Sequence, residues 1–103
     1  MKFVAITACK EGLVYSYIAK ESLEKAMGDS KDTMIIERHT AYGIDSHLTS
    51  QEITDADAVL IVSDVIFDIK RFRGKKMVFA TTKDAISDAK NLIERLRERA
   101  NES

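Results

Sequence analysis

Hydrophobic and polar positions change period several times along the chain, and each change marks an element. Residues 2–8 (KFVAITA) form a short apolar run with β-branched side chains, the pattern of a buried strand. After Cys9-Lys10-Glu11-Gly12 the period lengthens. Val14 and Ile18, with Tyr15, Ala19, Leu23 and Ala26, recur at three and four, and charged residues fill the gaps. This predicts an amphipathic helix of about four turns, ending at the Gly28-Asp29-Ser30 turn cluster. Residues 33–38 (TMIIER) read as a second strand, and His39–Ser46 as irregular. Thr49 and Glu52 have capping-box spacing and open a short helix ending near Ala56. Residues 57–63 (DAVLIVS) are a continuous apolar run, as expected of a strand covered on both faces. A short helix from Ile66 to Phe72 and a fourth strand at 76–80 (KMVFA) follow. Thr81 or Thr82 then caps one last helix, whose stripe is Ala85, Ile86, Ala89, Leu92, Ile93, Leu96 and Ala100.

Strict β-α alternation requires crossovers, and crossovers make parallel neighbours. The predicted fold is α/β: a four-stranded parallel sheet, order 2-1-3-4, with helices on both faces. The strand order reverses between strands 1 and 3, and ligands in such sheets bind beyond the carboxyl ends of the strands at that point. Cys9–Gly12, the loop leaving strand 1, lies there.

Composition narrows the class. The chain has 103 residues, 45% hydrophobic and 32% charged, with four glycines and no proline. No linker or repeat interrupts it, so residues 1–103 read as a single domain. A net charge of −1 provides no field for nucleic acid. No apolar run approaches the length of a membrane span, and MKFVAITACKEG is broken by charge too early for a signal peptide, so the expected location is cytoplasmic. One cysteine excludes an internal disulfide, and together with only two histidines it argues against a thiolate or histidine-rich metal site. No metal or organic cofactor is expected.

Cys9 is the residue with chemistry to offer. It sits between a strand end and a helix start, where unpaired backbone N–H groups stabilise a thiolate and cradle phosphate oxygens. Gly12 allows close approach of a ligand, and Ser16 can add a hydroxyl. A lone cysteine is equally at home as a small buried hydrophobe. The position six after Cys9 is Tyr15, so the arginine of a tyrosine-phosphatase loop is missing, and no second cysteine makes a dithiol pair. A group that holds phosphate without rapid hydrolysis fits these residues better.

The run VAITACKEGLVYSYIAKESLEKA resembles the phosphocysteine segment of fructose-type enzyme IIB, a component of the bacterial phosphoenolpyruvate-dependent sugar phosphotransferase system. IERHTAYGIDSHLTSQEITDADAVLIVSD and RFRGKK resemble further segments of that family in the same order. The resemblance covers nearly the whole chain. It implies a phosphoryl carrier that accepts phosphate on Cys9 from a phosphohistidine of enzyme IIA. The carrier passes it to a fructose-like sugar at membrane enzyme IIC. It also implies that Lys10, Glu11, Gly12, Leu13, Val14, Tyr15 and Ser16 form the phosphate loop. The family's Pro-Thr after the cysteine is Lys10-Glu11 here, its loop histidine is Tyr15, and its E-T-Q-G is Glu37-Arg38-His39-Thr40. These departures keep open a non-transporting regulatory module of the same family. A thiol redox sensor at Cys9 is a third reading.

The remaining clusters read as structural. Lys70, Arg71, Arg73, Lys75 and Lys76 suit a solvated connection better than a nucleic-acid patch. Asp55, Asp57, Asp64 and Asp68 match no cation loop and read as strand-end and turn residues, with Asp64 nearest the site. His39 and His47 read as exposed loop residues, and Tyr17, Phe67, Phe72 and Phe79 as core or docking residues.

Overall fold

The computed structural model describes residues 1–9, 13–28, 30–40, 43–66 and 68–102, leaving out the side chain of Leu13. Strand β1 (Lys2–Ala8) leads to helix α1 (Leu13–Met27). β2 (Thr33–Thr40), β3 (Gly43–Asp45), α2 (Ser50–Asp55) and β4 (Ala58–Ser63) follow. A 3-10 turn (Lys70–Phe72), β5 (Met77–Ala80), α3 (Thr82–Ser87) and α4 (Ala89–Asn101) complete the order.

The sheet is five-stranded and mixed, in the order β3-β2-β1-β4-β5. Its parallel part, β2-β1-β4-β5, has the predicted order. The prediction of a purely parallel four-stranded sheet is corrected by β3, which pairs antiparallel with β2 and occupies the stretch read as irregular. All three residues of β3 are exposed, so no buried run announced it.

Alternation along β1 sorts the core into two layers. Phe3 and Ala5 pack with Ala19 and Leu23 of α1 and with Leu92, Ile93 and Leu96 of α4. Val4 and Ile6 face the other way, against Leu48, Ile53 of α2 and Phe72. Helices therefore lie on both faces, as expected. Three predicted elements need correction. The last helix breaks at Asp88 (φ −148°, ψ 43°), which ends α3 and begins α4 with neither glycine nor proline to signal it. Among the described residues between 66 and 72, helical structure is confined to the 3-10 turn; Phe67 lies outside them. In α1 the inward face is Ser16, Ala19, Leu23 and Met27, while Val14 and Tyr15 are exposed.

Glu37 of β2 is fully buried on the α2 face. Its carboxylate accepts the Leu48 backbone N–H at 2.8 Å, lies 2.6 Å from His39 Nε2, and takes a hydrogen bond and ion pair from Arg71. The carboxylate thus joins β2, the chain entering α2, and the 3-10 turn, elements far apart in sequence. Burial alone would push its carboxyl up. The hydrogen bonds from Arg71, Leu48 and His39 outweigh that and hold it below the ordinary glutamate value.

The basic stretch is exposed at Lys70, Arg71 and Arg73, as expected, but three of its cations are also engaged. Arg71 serves Glu37, Lys75 Nζ donates to the carbonyls of Thr54 and Ala56 at 2.8 Å, and Lys76 Nζ donates to those of Ala100 and Glu102. These cations tie the turn and β5 to the ends of α2 and α4.

A depressed carboxylate contributes stability that is complete above its unfolded value, about pH 4, and is lost as pH falls through the folded value. Glu37→Gln removes the charge, leaving the Arg71 guanidinium without its anion. At pH 7 this variant should lose about 2–3 kcal/mol in urea unfolding. The gap to wild type should narrow in strongly acidic buffer. A gap independent of pH would contradict an ionised Glu37.

Candidate functional site

β1 is the central strand, paired in parallel with β2 on one side and β4 on the other. Parallel pairing brings their carboxyl ends to one edge of the sheet. Cys9 follows β1 directly there and is half-buried. His39 and Thr40 end β2, and Asp64 follows β4. The Asp64 backbone N–H donates to the Ala8 carbonyl at 3.2 Å, extending the β1–β4 contact up to the cysteine.

Of the proposed phosphate loop, Lys10, Glu11 and Gly12 lie outside the described residues. Leu13 opens α1, so the segment after Cys9 leads straight into a helix N-terminus as expected. Val14 and Tyr15 are exposed, and Ser16 is fully buried on the inward face. The structure therefore divides the set: Ser16 turns toward the sheet and its neighbours turn to solvent.

Asp64 has a structural task. Its carboxylate accepts the Thr82 backbone N–H at 3.0 Å and also the Thr82 hydroxyl, anchoring the first turn of α3 beside the end of β4. Thr81 caps the same helix in a capping box with Asp84. Asp55, Asp57 and Asp68 likewise accept hydrogen bonds from Gln51, the Lys2 N–H and the Lys70 N–H. A cleft of about 430 Å³ lies between the two helices, lined by Tyr15, Asp64, Thr82, Lys83, Ile86 and Ser87. Val14, Tyr15, Val65 and Ile66 are exposed apolar side chains.

His39 is not a loop residue: it ends β2 and is engaged by Glu37. His47 is exposed. Tyr17 and Phe79 are exposed and Phe72 is core. Arg38 lies on the α1 face, with its guanidinium carbon 5.4 Å from the centre of the Tyr17 ring and an ion pair to Asp45. Arg38 stands where the resembled family has the threonine of E-T-Q-G, near the end of β2. Its direction follows from the period-2 alternation with Ile36 of the α1 core. Among the described residues no group of three or more His, Cys, Asp or Glu side chains is placed to hold a metal ion.

A family model described as the lactose/cellobiose-specific IIB subunit of the PTS system matches residues 4–95. The chain belongs to the PTS IIB family. Its relatives carry the fructose name. The fructose-specific EIIB'BC component of Xanthomonas campestris is 36% identical over 94 residues, covering 91% of this chain and 16% of that protein. The fructose-specific EIIB component of Haloferax volcanii is 35% identical over 100 residues, covering 97% and 63%. A solved domain of a fructose-specific IIABC component from Borrelia burgdorferi superposes with a TM-score of 0.88 at 33% identity, covering 99% of this chain and 95% of that domain. The chain thus spans 16% of the first relative and 63% of the second. The fold, the strand-end cysteine and the resemblance in the sequence agree on a fructose-type IIB domain. No helix among the described residues is long and apolar enough to cross a membrane.

Asp64→Ala should release the first turn of α3. We expect a loss of about 1–2 kcal/mol in thermal or urea unfolding, and faster amide exchange at Thr82 than at Leu92. Unchanged exchange at Thr82 would contradict the anchoring role.

Proposed function

We propose that this chain is a cytoplasmic phosphoryl carrier, one IIB-like domain spanning residues 1–103. It takes phosphate on Cys9 from a phosphohistidine of enzyme IIA and delivers it to a fructose-like sugar at membrane enzyme IIC. The observation that carries this reading is the position of Cys9 at the end of the central parallel strand, beside a helix start, in a PTS IIB chain. The names EIIB'BC and EIIABC of its relatives, which combine IIB with other components of the system, support these partners.

Loading the carrier exchanges one bond for another. The Cys9 thiol gives its proton to solvent, and the thiolate sulfur attacks phosphorus in line. The S–P bond forms as the N–P bond to the donor histidine breaks, and the nitrogen keeps that electron pair. The second transfer breaks S–P as a sugar hydroxyl oxygen attacks, its proton leaving to a base. Neither step changes an oxidation state, so positioning and electrostatic support of the three phosphoryl oxygens account for the catalysis. The backbone amides of Lys10 to Val14 and the Ser16 hydroxyl would supply that support, with Tyr15 at the rim. The exposed apolar side chains of Val14, Tyr15, Val65 and Ile66 would give the partners contact surface.

Intact-protein mass tests the reading. The chain is incubated with phosphoenolpyruvate, the general phosphotransfer proteins and a cognate enzyme IIA. Wild type should gain the mass of one phosphoryl group and Cys9→Ser should gain none. No gain with an active donor and folded protein would overturn the carrier reading and favour a non-transporting regulatory module.

A further inference from the structure

Among the described residues, two buried side-chain nitrogen or oxygen atoms have no hydrogen-bond partner: Thr7 Oγ1 and Arg38 Nε. They belong to residues that face each other. Thr7 and Arg38 are register partners across β1 and β2. Both side chains lie on the α1 face, since Phe3 and Ala5 precede Thr7 on that face and Ile36 precedes Arg38. Cys9 follows Thr7 by two residues, just beyond the end of β1. A buried N–H without an acceptor costs free energy on the order of 1–3 kcal/mol, so a native protein leaves one only where something else compensates.

The rest of Arg38 is held loosely. Its side chain is only 15% exposed, yet its one ion-pair partner, Asp45, is 52% exposed on the edge strand β3. An exposed carboxylate screened by water is a weak partner. β2 runs between β3 and β1, so Arg38 has Asp45 on one flank and Thr7, two residues before Cys9, on the other. The Tyr17 ring centre lies 5.4 Å from its guanidinium carbon.

We infer that Arg38 is the cation of the phosphoryl site, parked on Asp45 in the unloaded protein and drawn to the phosphocysteine when Cys9 is loaded. This rests on the carrier reading above. A thiophosphate dianion outcompetes a single solvated carboxylate for a guanidinium, because it carries more charge and three acceptor oxygens. Arg38 then positions and stabilises the phosphoryl group, and its unused Nε–H gains an acceptor. Asp45 is a competitor that lowers the affinity of the site for phosphate.

The test is the phosphorylation equilibrium with the phosphohistidine donor, read as the loaded fraction at a fixed donor ratio. Arg38→Gln should lower the equilibrium constant roughly tenfold, the size of one lost charge-assisted hydrogen bond. Arg38→Lys should recover part of it. Asp45→Asn should raise it about threefold, in keeping with a weak exposed pair. A variant that merely harmed the fold would not move the equilibrium upward, so the Asp45→Asn result separates competition from damage. Equal loading of wild type, Arg38→Gln and Asp45→Asn would overturn this inference while leaving the carrier reading intact. No loading of wild type by an active donor would overturn both.

Discussion

Parallel pairing of β1 on both of its edges is the constraint from which the rest follows. A strand hydrogen-bonded to β2 and β4 in the same direction runs to the same edge of the sheet as both, so Cys9 is delivered to the middle of the carboxyl edge. The same pairing forces crossovers, and α1 begins at Leu13, four residues after the cysteine. It also divides the core in two, because the β1 side chains from Phe3 to Ala8 are buried on alternate faces. A cysteine in any other loop of this chain would lack either the helix start or the two flanking strand ends.

The polar interactions inside this frame serve to fix its edge. Glu37 ties β2 to Leu48 and Arg71, and Asp64 ties β4 to the first turn of α3. Glu37 is a buried cost if a partner is lost, and both carboxylates are constraints while their partners remain. Between them they hold the segments on either side of Cys9 in fixed relation.

Strand identity and order in the parallel part were legible because continuous β-branched runs at 2–8 and 57–63 can only be doubly covered strands. The Thr49–Glu52 box was legible because its chemistry is local, and the structure has it. β3 was hidden since three exposed residues bury nothing, and the break at Asp88 since ordinary backbone angles need no glycine there. The Tyr15–Ser16 exchange on α1 came from reading the apolar residue as the inward one. At the sheet's edge a hydroxyl faces inward instead. Glu37 could not be recognised as buried, because its partner Arg71 is 34 residues away and a glutamate in a short strand reads as surface. Cys9 was legible from position alone, as strand end and helix start.

The most direct test of the account is the chemical identity of the phosphorylated atom, read by phosphorus NMR on the chain loaded from its phosphohistidine donor. The account predicts a single protein-borne resonance with the shift of an S-phosphorothiolate, from Cys9. A phosphoramidate resonance from His39 or His47, or a spectrum holding only donor and free phosphate, would contradict it.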